Sequence, residues 1–583
     1  MVVTGSTIGA AWAARLAATP DRVALLVRRP DGTFVPRSWR EVDRAVRDVR
    51  AALTAAGVGP GSTVAQVSEN RTAWPIVDGA VLGLPAVHVP LHAGLPGATL
   101  ARQIAHSGAT TLVVAGPELI DRLRPHEAAL AGLTAVFAHE PCERTLAGRV
   151  VRTLPLEAVT PAADEPAWQA GVTPLDRPSS GDALREDADP SGAEPDVDAG
   201  DPHRPALILY TSGTAGASRG VVLSHANVLA NAATLVEIFD YRPGDVRLTA
   251  LPLSHIYAHT CDLTSWVLAG NVWAIAGGRE TVLADLAATS ATMICHVPYF
   301  YESVRRQIAA ERHADEADAL RRRLGGRMRT PRSGGATLSP ETFAWYADRG
   351  VTLYQGYGLT EASPVICTST PGSTRAGSVG RPIPGVEVRL SSAGELLTRG
   401  PNVMLGYHRD RAATDAAIVD GWLATGDLAT IDADGFVRII GRRCERIALS
   451  TGKKVDPPDL EAVLTADPAI ERAVLVGQDR PYLVALLVVR DEGPPGGPSA
   501  TPAELAARIA RLQADHARHE RIGAFAVLPG PLTVEAGELT PKLSLCRPAI
   551  LARYADLIES LYAGRTGPSI GRLPAGRPSS PAT

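Results

Sequence analysis

The residues best suited to chemistry lie at positions 210–221, in a stretch rich in hydroxyls and glycines. A short apolar run, Ala206-Leu-Ile-Leu209, precedes this stretch and predicts a buried strand. The functional groups of the stretch are Thr211, Ser212, Thr214, Ser218, Gly213, Gly216, Gly220 and Arg219. Glycines let backbone N–H groups converge on an anion, while hydroxyls and a guanidinium supply further donors. The pattern predicts a polyphosphate-binding loop, and a mobile Gly/Ser surface loop is the alternative.

Three further polar residues follow turns or strand ends. Glu361 comes directly after Thr360 in Gly-Tyr-Gly-Leu-Thr-Glu and is either a solvated charge or, beside a polyphosphate, a Mg²⁺ ligand. Asp427 ends Gly-Trp-Leu-Ala-Thr-Gly-Asp and is either a turn residue or a carboxylate that binds two ribose hydroxyls. His255 follows the apolar run of Leu-Pro-Leu-Ser-His and is either a structural or a functional histidine.

Length, charge and cysteine usage narrow the class of protein. A chain of 583 residues exceeds what one hydrophobic core supports, so we expect at least two domains. A net charge of −4 gives no case for nucleic-acid binding. The six scattered cysteines form no Cys-x-x-Cys pair, which favours reduced thiols in a cytoplasmic protein. We find neither a signal peptide nor an apolar run of about 18 residues, and expect at most peripheral membrane contact.

Apolar runs alternate with amphipathic stretches, which predicts an α/β fold with mostly parallel sheets flanked by helices. We assign residues 1–441 to a large N-terminal domain of several subdomains and residues 442–565 to a small α+β domain. Residues 160–205, rich in Pro, Asp, Glu, Gly and Ser, are predicted to form a disordered acidic loop. Residues 566–583, rich in Gly, Pro and Ser, are predicted to form a disordered tail.

An ordered set of motifs extends from about residue 10 to residue 562. The motifs are Tyr-Thr-Ser-Gly-Thr at 210, Leu-Pro-Leu-Ser-His at 251, Ser-Gly-Gly-Ala at 333, Tyr-Gly-Leu-Thr-Glu at 357, Gly-Trp-Leu-Ala-Thr-Gly-Asp at 421, Ile-Gly-Arg at 440, Ser-Thr-Gly-Lys-Lys-Val at 450 and Glu-Leu-Thr-Pro at 538. Each motif alone is a weak match, but the set in this order is specific. The chain resembles the adenylate-forming superfamily and, within it, the long-chain fatty-acid–CoA ligases.

The resemblance implies a two-step reaction that uses ATP, Mg²⁺ and CoA. A medium- or long-chain fatty acid attacks the α-phosphate of ATP, which gives acyl-AMP and pyrophosphate. The C-terminal domain is then expected to swing, and the thiol of CoA displaces AMP. Loop donors and Mg²⁺ would neutralise the phosphates, and an apolar tunnel would hold the acyl chain.

The resemblance also assigns roles to residues at the motif positions. The residues expected to bind ATP or AMP are Thr211, Ser212, Gly213, Thr214, Arg219, Gly334, Gly335, Ala336, Tyr357, Gly358, Asp427 and Arg442. Glu361 and Thr214 would bind Mg²⁺, and Thr360 would act near the α-phosphate. His255 would lie at the mouth of the acyl pocket, and Gly452 would line the CoA tunnel.

Three positions depart from the family pattern. The loop has Ser218-Arg219 where Pro-Lys is usual, which retains the positive charge. Cys444 stands at the hinge, where Asp or Lys is usual. Ser544 stands where the adenylation lysine is expected, but Lys542, one of only three lysines, lies two residues earlier. Because such residues face the same side of an extended segment, roughly 6–7 Å apart, we hypothesise that Lys542 takes over the role.

Three functions are compatible with these residues. The first is the CoA ligase, and the second is an enzyme that passes the acyl group to the phosphopantetheine of an acyl carrier protein. The third is a catalytically impaired protein that binds an acyl group or a nucleotide, which Ser544 and Cys444 favour. The retained Thr211, Glu361 and Asp427 argue against the third, because a decayed site would be expected to lose its carboxylates.

The Lys542 hypothesis predicts that Lys542→Ala slows pyrophosphate release with palmitate about 100-fold, because a positioned donor is lost from the first step. If Lys542 is instead a surface lysine with no role in the first step, its substitution should leave the rate of pyrophosphate release unchanged. Unchanged rates in the variant would exclude Lys542 as the catalytic amine.

Overall fold

The protein is described by a computed structural model. The residues that it describes are 2, 4–162, 164–169, 200–211, 218–311, 313–443, 445–490, 500–539, 545–565, 567 and 569–573. Several predicted site residues lie outside this set: Ser212, Gly213, Thr214, Cys444, Lys542 and Ser544.

The strands are numbered in chain order. They are β1 (Val23–Arg28), β2 (Phe34–Ser38), β3 (Thr63–Ser68), β4 (Val87–His92), β5 (Thr111–Val114), β6 (Ala135–Ala138), β7 (Thr145–Leu146), β8 (Arg149–Thr153), β9 (Pro205–Thr211), β10 (Arg219–Ser224), β11 (Val246–Thr249), β12 (Val272–Ile275), β13 (Met293–His296), β14 (Thr330–Ser333), β15 (Tyr354–Gly358), β16 (Val365–Thr368), β17 (Arg381–Pro382), β18 (Glu387–Leu390), β19 (Glu395–Arg399), β20 (Gly406–Tyr407), β21 (Ile418–Val419), β22 (Trp422–Ile431), β23 (Val437–Arg442), β24 (Ile447–Ala448), β25 (Lys454–Val455), β26 (Ile470–Val476), β27 (Leu483–Val489), β28 (Ile522–Val527) and β29 (Ile570–Arg572).

The α-helices flank these strands. They are α1 (Ile8–Ala18), α2 (Trp39–Ala55), α3 (Ala73–Leu82), α4 (Gly97–Ser107), α5 (Pro117–Leu123), α6 (His225–Ile238), α7 (Ile256–Ala258), α8 (Ser265–Ala269), α9 (Val282–Thr289), α10 (Pro298–Glu311), α11 (Glu316–Arg323), α12 (Pro340–Asp348), α13 (Arg411–Ala417), α14 (Pro457–Thr465), α15 (Pro502–Leu512), α16 (Arg547–Arg553) and α17 (Ala555–Tyr562). Short 3₁₀ turns cover Arg124–Leu130, Glu157–Val159, Arg279–Thr281, Thr360–Ala362 and Arg518–Glu520, and a π-helix covers His259–Thr264.

Two large sheets organise the described part of the chain before residue 408. One has the strand order β17-β16-β15-β14-β13-β11-β12-β1-β2, and the other has the order β20-β10-β9-β4-β3-β5-β6-β8-β7. Their central strands pair in parallel, and antiparallel pairs stand towards the ends of each sheet. The predicted α/β class with mostly parallel sheets is therefore confirmed.

Smaller sheets follow along the chain. Strand β22 pairs with β19, β21 and β23 in a five-stranded antiparallel sheet, and β26 to β29 form a four-stranded sheet. From Ile447 onward the buried apolar residues form two clusters of their own, separate from the clusters of the large sheets. Among the described helices, none is both long enough and apolar enough to cross a bilayer.

Local sequence signals explain how several helices begin. Ser38 caps α2 and Ser224 caps α6, and in both cases the third residue of the helix returns a hydrogen bond to the cap. Such reciprocal capping satisfies N–H groups that the helix itself cannot pair. Ser339 caps α12 by accepting the backbone N–H of Thr342. In the core, Trp39 stacks on Trp266 with their ring centroids 4.3 Å apart.

The two segments predicted to be disordered both contain ordered residues. The segment 160–205 is predicted to be disordered throughout, but Trp168 donates its backbone N–H to the carbonyl of Phe34 and packs on the core. The predicted tail 566–583 contains β29, which pairs antiparallel with β28. Local composition misleads both predictions, because one tryptophan and one isoleucine find partners that are distant in sequence. Residues 163 and 170–199 of the acidic loop, and residues 566, 568 and 574–583 of the tail, lie outside the described residues.

A buried hydrogen-bonded network fixes the segment that carries His255. Asp78 on α3 lies 2.7 Å from Nδ1 of His88 and 2.9 Å from Nε2 of His259. Burial alone would raise the pKa of Asp78, but His259 and His88 hold it below its usual value. His259 donates its backbone N–H to the carbonyl of His255, so the network anchors this segment to β4 and α3.

Candidate active site

Both ends of the loop at 210–221 are fixed in an antiparallel hairpin. Strands β9 and β10 pair with Thr211 opposite Arg219 and Tyr210 opposite Gly220. Gln103 on α4 donates its side-chain N–H to the hydroxyl of Ser218, with a separation of 3.0 Å. The hydroxyl of Tyr210 lies 2.8 Å from Nδ1 of His106 on the same helix. Helix α4 therefore supports both arms of the hairpin.

The structure brings Glu361 close to this hairpin through Tyr407. Strand β20 pairs antiparallel with β10, and this register places Tyr407 opposite Val221. The hydroxyl of Tyr407 donates to Oε1 of Glu361, 3.0 Å away, and the guanidinium of Arg219 lies over the tyrosine ring, 5.3 Å from its centroid. Burial raises the pKa of Tyr407, and the Glu361 carboxylate raises it further, so the hydroxyl keeps its proton and remains a donor.

Backbone contacts hold the Glu361 turn against the same strands. The N–H of Met404 donates to the carbonyl of Glu361 at 2.9 Å, and the N–H of Leu405 donates to Val222. Thr360 is buried and begins the 3₁₀ turn. A Cβ added at Gly358 would lie 1.8 Å from the carbonyl oxygen of Pro364, so only glycine fits at the end of β15. The motif at 357–361 thus needs its glycine for close backbone packing.

The second carboxylate lies beside an aromatic residue of the same motif. Asp427 on β22 accepts a hydrogen bond of 2.6 Å from the hydroxyl of Tyr357 and lies opposite Arg442 of β23. Its other oxygen lies 3.3 Å from Nε of Arg442. Burial raises the pKa of Asp427, while Arg442 and the Tyr357 hydroxyl oppose that rise. Glu445 and Glu361 add to the rise.

The glycine turn after β14 lies against the His255 segment. Gly334 donates its N–H to the carbonyl of His296 at 3.0 Å, and a Cβ there would lie about 3.0 Å from the Tyr257 ring. Gly335 has a φ of +79°, which favours glycine, and Ala336 is exposed. Nδ1 of His255 accepts the backbone N–H of Tyr257 at 3.0 Å. Tyr257 therefore connects His255 to the glycine turn: its backbone bonds to His255, and its ring lies beside Gly334.

Gly452, which was predicted to line the CoA tunnel, lies in the C-terminal part of the chain. It occupies the turn between β24 and β25 with a φ of +77°, and no atom lies within 4 Å of a Cβ added there. Its predicted place in a CoA tunnel stays a prediction.

Sequence reasoning missed Tyr407, Gln103 and His106. Tyr407 lies 46 residues after Glu361, and its role depends on the pairing of β20 with β10, which no local motif encodes. Gln103 and His106 lie on one face of α4, where polar residues ordinarily indicate a solvated surface. Gln103 is buried and His106 is exposed, and no local pattern in the sequence distinguishes them from surface residues.

The fold and this geometry define a nucleotide-binding enzyme of the α/β class, in which Glu361 contacts the hairpin through Tyr407 and Asp427 bonds to Tyr357 of the same motif. The chain belongs to the AMP-binding enzyme family, which matches residues 12–408. The C-terminal domain of AMP-binding enzymes matches residues 444–566. The predicted membership of the adenylate-forming superfamily is confirmed.

The similarity to two named relatives extends over almost the whole chain. The long-chain-fatty-acid–CoA ligase FadD15 of Mycobacterium bovis is 30% identical over 605 residues, which covers 93% of this chain and 95% of the relative. The peroxisomal long chain acyl-CoA synthetase 7 of Arabidopsis thaliana is 26% identical and covers 92% of this chain and 83% of its own length.

Solved structures share the fold. The anthranilate CoA ligase AuaEII, in complex with anthranoyl-AMP, superposes with a TM-score of 0.74 at 19% identity, over 95% of this chain and 98% of that protein. The O-succinylbenzoate CoA synthetase of Bacillus subtilis, in complex with ATP and a magnesium ion, gives a TM-score of 0.69 at 22% identity, over 92% and 98% of the two chains.

Tyr407→Phe tests the link between the hairpin and Glu361. The ring that contacts Arg219 remains, but the donor to the carboxylate is lost. Because a hydrogen bond to a charged group contributes about 1.5 kcal/mol, we expect the Mg²⁺ concentration for half-maximal pyrophosphate release to rise about tenfold.

Tyr562→Phe is the matched control, because its hydroxyl bonds to the carbonyls of Val476 and Tyr482, near the end of the chain. It should leave the Mg²⁺ dependence unchanged. An identical Mg²⁺ dependence in Tyr407→Phe and wild type would contradict a positioning role for Tyr407.

Proposed function

We propose that this enzyme activates a medium- or long-chain fatty acid with ATP and transfers the acyl group to CoA, releasing AMP and pyrophosphate. One observation carries the proposal. Arg219, Tyr407 and Glu361 form a continuous chain of contacts at the hairpin. Tyr357, Asp427 and Arg442 form a second one, and Tyr357 lies in the same short motif as Glu361. The fatty-acid substrate and CoA are inferred from the relatives named as long-chain-fatty-acid–CoA ligases.

In the proposed nucleotide site, each contact chain holds one part of ATP. The side chains of Thr211, Ser212 and Thr214 and the guanidinium of Arg219 would donate to the β- and γ-phosphates. Asp427 would accept hydrogen bonds from the two ribose hydroxyls, with Arg442 beside it. The Tyr357 ring would lie against the adenine, which the turn of Gly334, Gly335 and Ala336 would border.

The donor set also fits a divalent cation. Glu361 is a partly exposed carboxylate that one neutral hydroxyl holds in place, and carboxylate oxygens are preferred Mg²⁺ ligands. Bound Mg²⁺ would neutralise phosphate charge, with the Thr214 hydroxyl as a second ligand. The charge of Glu361 contributes to the raised pKa of Asp427, and a cation bound at Glu361 would offset that contribution.

In the first chemical step, a carboxylate oxygen of the fatty acid forms a bond to the α-phosphorus, and the bond from that phosphorus to the bridging oxygen of pyrophosphate breaks. Thr360, buried next to Glu361, would donate to the α-phosphate. Lys542 would supply a positive charge between the carboxylate and that phosphate. In the second step, the sulfur of CoA bonds to the acyl carbon and the bond to AMP breaks, with the thiol proton passing to solvent or to a base.

A second candidate acceptor is the phosphopantetheine thiol of an acyl carrier protein, which would react in the same way. The third possibility, an impaired protein that binds but does not react, is favoured by Ser544 at the place of the expected lysine. An acceptor experiment separates the three functions.

The purified protein is incubated with ATP, Mg²⁺ and palmitate, and either CoA or a holo acyl carrier protein is added. We expect AMP to form only when the acid is present, and palmitoyl-CoA to be the thioester product. Asp427→Ala should lower kcat/KM about 10- to 100-fold, because a hydrogen bond to a charged group contributes about 1.5–3 kcal/mol. ATP binding without any pyrophosphate would contradict the proposed function, and thioester on the carrier protein alone would identify the second acceptor.

A further inference from the structure

A row of buried polar residues crosses the sheet directly below the glycine turn. Strand register places Thr249, Cys295 and Arg332 side by side on β11, β13 and β14, so their side chains share one face of the sheet. All three are buried, and Arg332 is only 2% exposed. Arg332 lies two residues before Gly334, where the turn begins. The sheet face below the turn is therefore polar, although the family resemblance predicts an apolar tunnel for the acyl chain.

The guanidinium of Arg332 extends away from the turn, towards the amino ends of the strands. Nη1 donates to the hydroxyl of Tyr241 at 3.1 Å, and Cζ lies 4.6 Å from the ring centroid of Phe239. Arg329, one residue before β14, donates to the carbonyl of Phe239 at 3.0 Å, which places Phe239 near the amino end of that strand. The guanidinium therefore lies at the base of this face, and the glycine turn lies at its top.

The segment that follows His255 covers both the turn and the polar row. At the turn, a Cβ added at Gly334 would lie 3.0–3.1 Å from three side-chain atoms of Tyr257. At the row, Asp262 accepts a hydrogen bond of 2.9 Å from the hydroxyl of Thr249. The segment, the turn and the row therefore border the same region. This region lies on the inner side of the turn that is proposed to border the acyl pocket.

The carboxylate of this region, Asp262, serves a second guanidinium. Its Oδ1 lies 2.9 Å from Nη1 of Arg247, and its Oδ2 accepts the Thr249 hydroxyl. No carboxylate oxygen of a described residue lies within 4.0 Å of a side-chain nitrogen of Arg332. The other titratable groups that face Arg332 are Tyr241, Cys261, Cys295 and Tyr257. Burial raises the pKa of all four, so each is neutral at pH 7. Because an arginine keeps its charge in proteins, Arg332 is a buried cation in contact with neutral groups.

We propose that Arg332 is a specificity-determining residue at the base of the acyl pocket, and that the preferred acid carries a second carboxylate at its far end instead of a methyl group. A guanidinium has five N–H donors and binds a carboxylate through two parallel hydrogen bonds. The second carboxylate would neutralise the buried cation, whereas a methyl group would leave it uncompensated. The inference rests on the proposed function and deepens it, because the other end of the same acid is activated by ATP.

The test compares matched acids that differ only at the far end. Octanedioate is compared with octanoate, and hexadecanedioate with palmitate, each with ATP and Mg²⁺. Pyrophosphate release is measured, because it reports the first step whichever thiol accepts the acyl group. The proteins are wild type, Arg332→Met and the control Arg37→Met. Arg37 is also 2% exposed, but it lies on β2 and pairs with Glu165.

We expect wild type to favour the dicarboxylate in kcat/KM by about tenfold or more at one or both chain lengths, because a site built to bond a polar group rejects an analogue that lacks it. Arg332→Met should abolish this preference by lowering kcat/KM for the dicarboxylate, and Arg37→Met should keep it within about twofold of wild type. Equal or faster use of the monocarboxylates by wild type at both lengths would overturn the proposal. Pyrophosphate from none of the four acids would contradict the proposed function itself, and the inference with it.

A second variant keeps the role of Arg332 testable if Arg332→Met does not fold. Arg332→Lys retains the charge but loses the pair of parallel donors, so the preference for the dicarboxylate should fall about threefold or more. Thermal unfolding of each variant checks that it is folded under the assay conditions. A preference equal to that of wild type in a folded Arg332→Met or Arg332→Lys would refute the assignment of Arg332.

Discussion

The proposed site depends first on the pairing of β20 with β10. This short antiparallel contact places one tyrosine so that its ring lies under Arg219 while its hydroxyl holds Glu361. The donor-rich hairpin would otherwise have no fixed relation to the carboxylate, because more than 140 residues of chain separate Arg219 from Glu361. Burial and the Glu361 carboxylate raise the pKa of Tyr407, so its hydroxyl keeps its proton and orients Glu361 as a neutral donor.

The second carboxylate is held by a different sheet. Asp427 lies opposite Arg442 in the antiparallel pairing of β22 and β23, and the hydroxyl of Tyr357 reaches it from β15. A buried carboxylate without such partners would be strongly destabilising, and here one cation and one hydroxyl compensate for the loss of water. Because Tyr357 and Glu361 belong to the same short motif, one turn contributes to both contact chains. The two halves of the proposed nucleotide site therefore share one supporting turn.

The sequence predicted the α/β class and a donor-rich loop after a buried strand, because strand periodicity and glycine content are local signals. It did not predict that the chain returns from this loop as the antiparallel strand β10. The helix caps Ser224 and Ser339 are local signals of the same kind. The contact of Tyr407 with Glu361 could not be predicted from local sequence, because it depends on the register in which β20 pairs with β10. Composition also misled: Trp168 is ordered within an acidic stretch, and β29 lies in the expected tail. The roles of the site residues remain predictions, and Ser212, Gly213, Thr214, Cys444 and Lys542 lie outside the described residues.

The most direct test of the account compares how the protein binds Mg²⁺·ATP and AMP, by calorimetry on wild type and Glu361→Gln. If Glu361 serves the metal and Asp427 serves the ribose, the substitution should weaken Mg²⁺·ATP binding about tenfold or more and leave AMP binding within about twofold. Equal weakening of both ligands, or no change in either, would contradict the division of the site into a metal carboxylate and a ribose carboxylate.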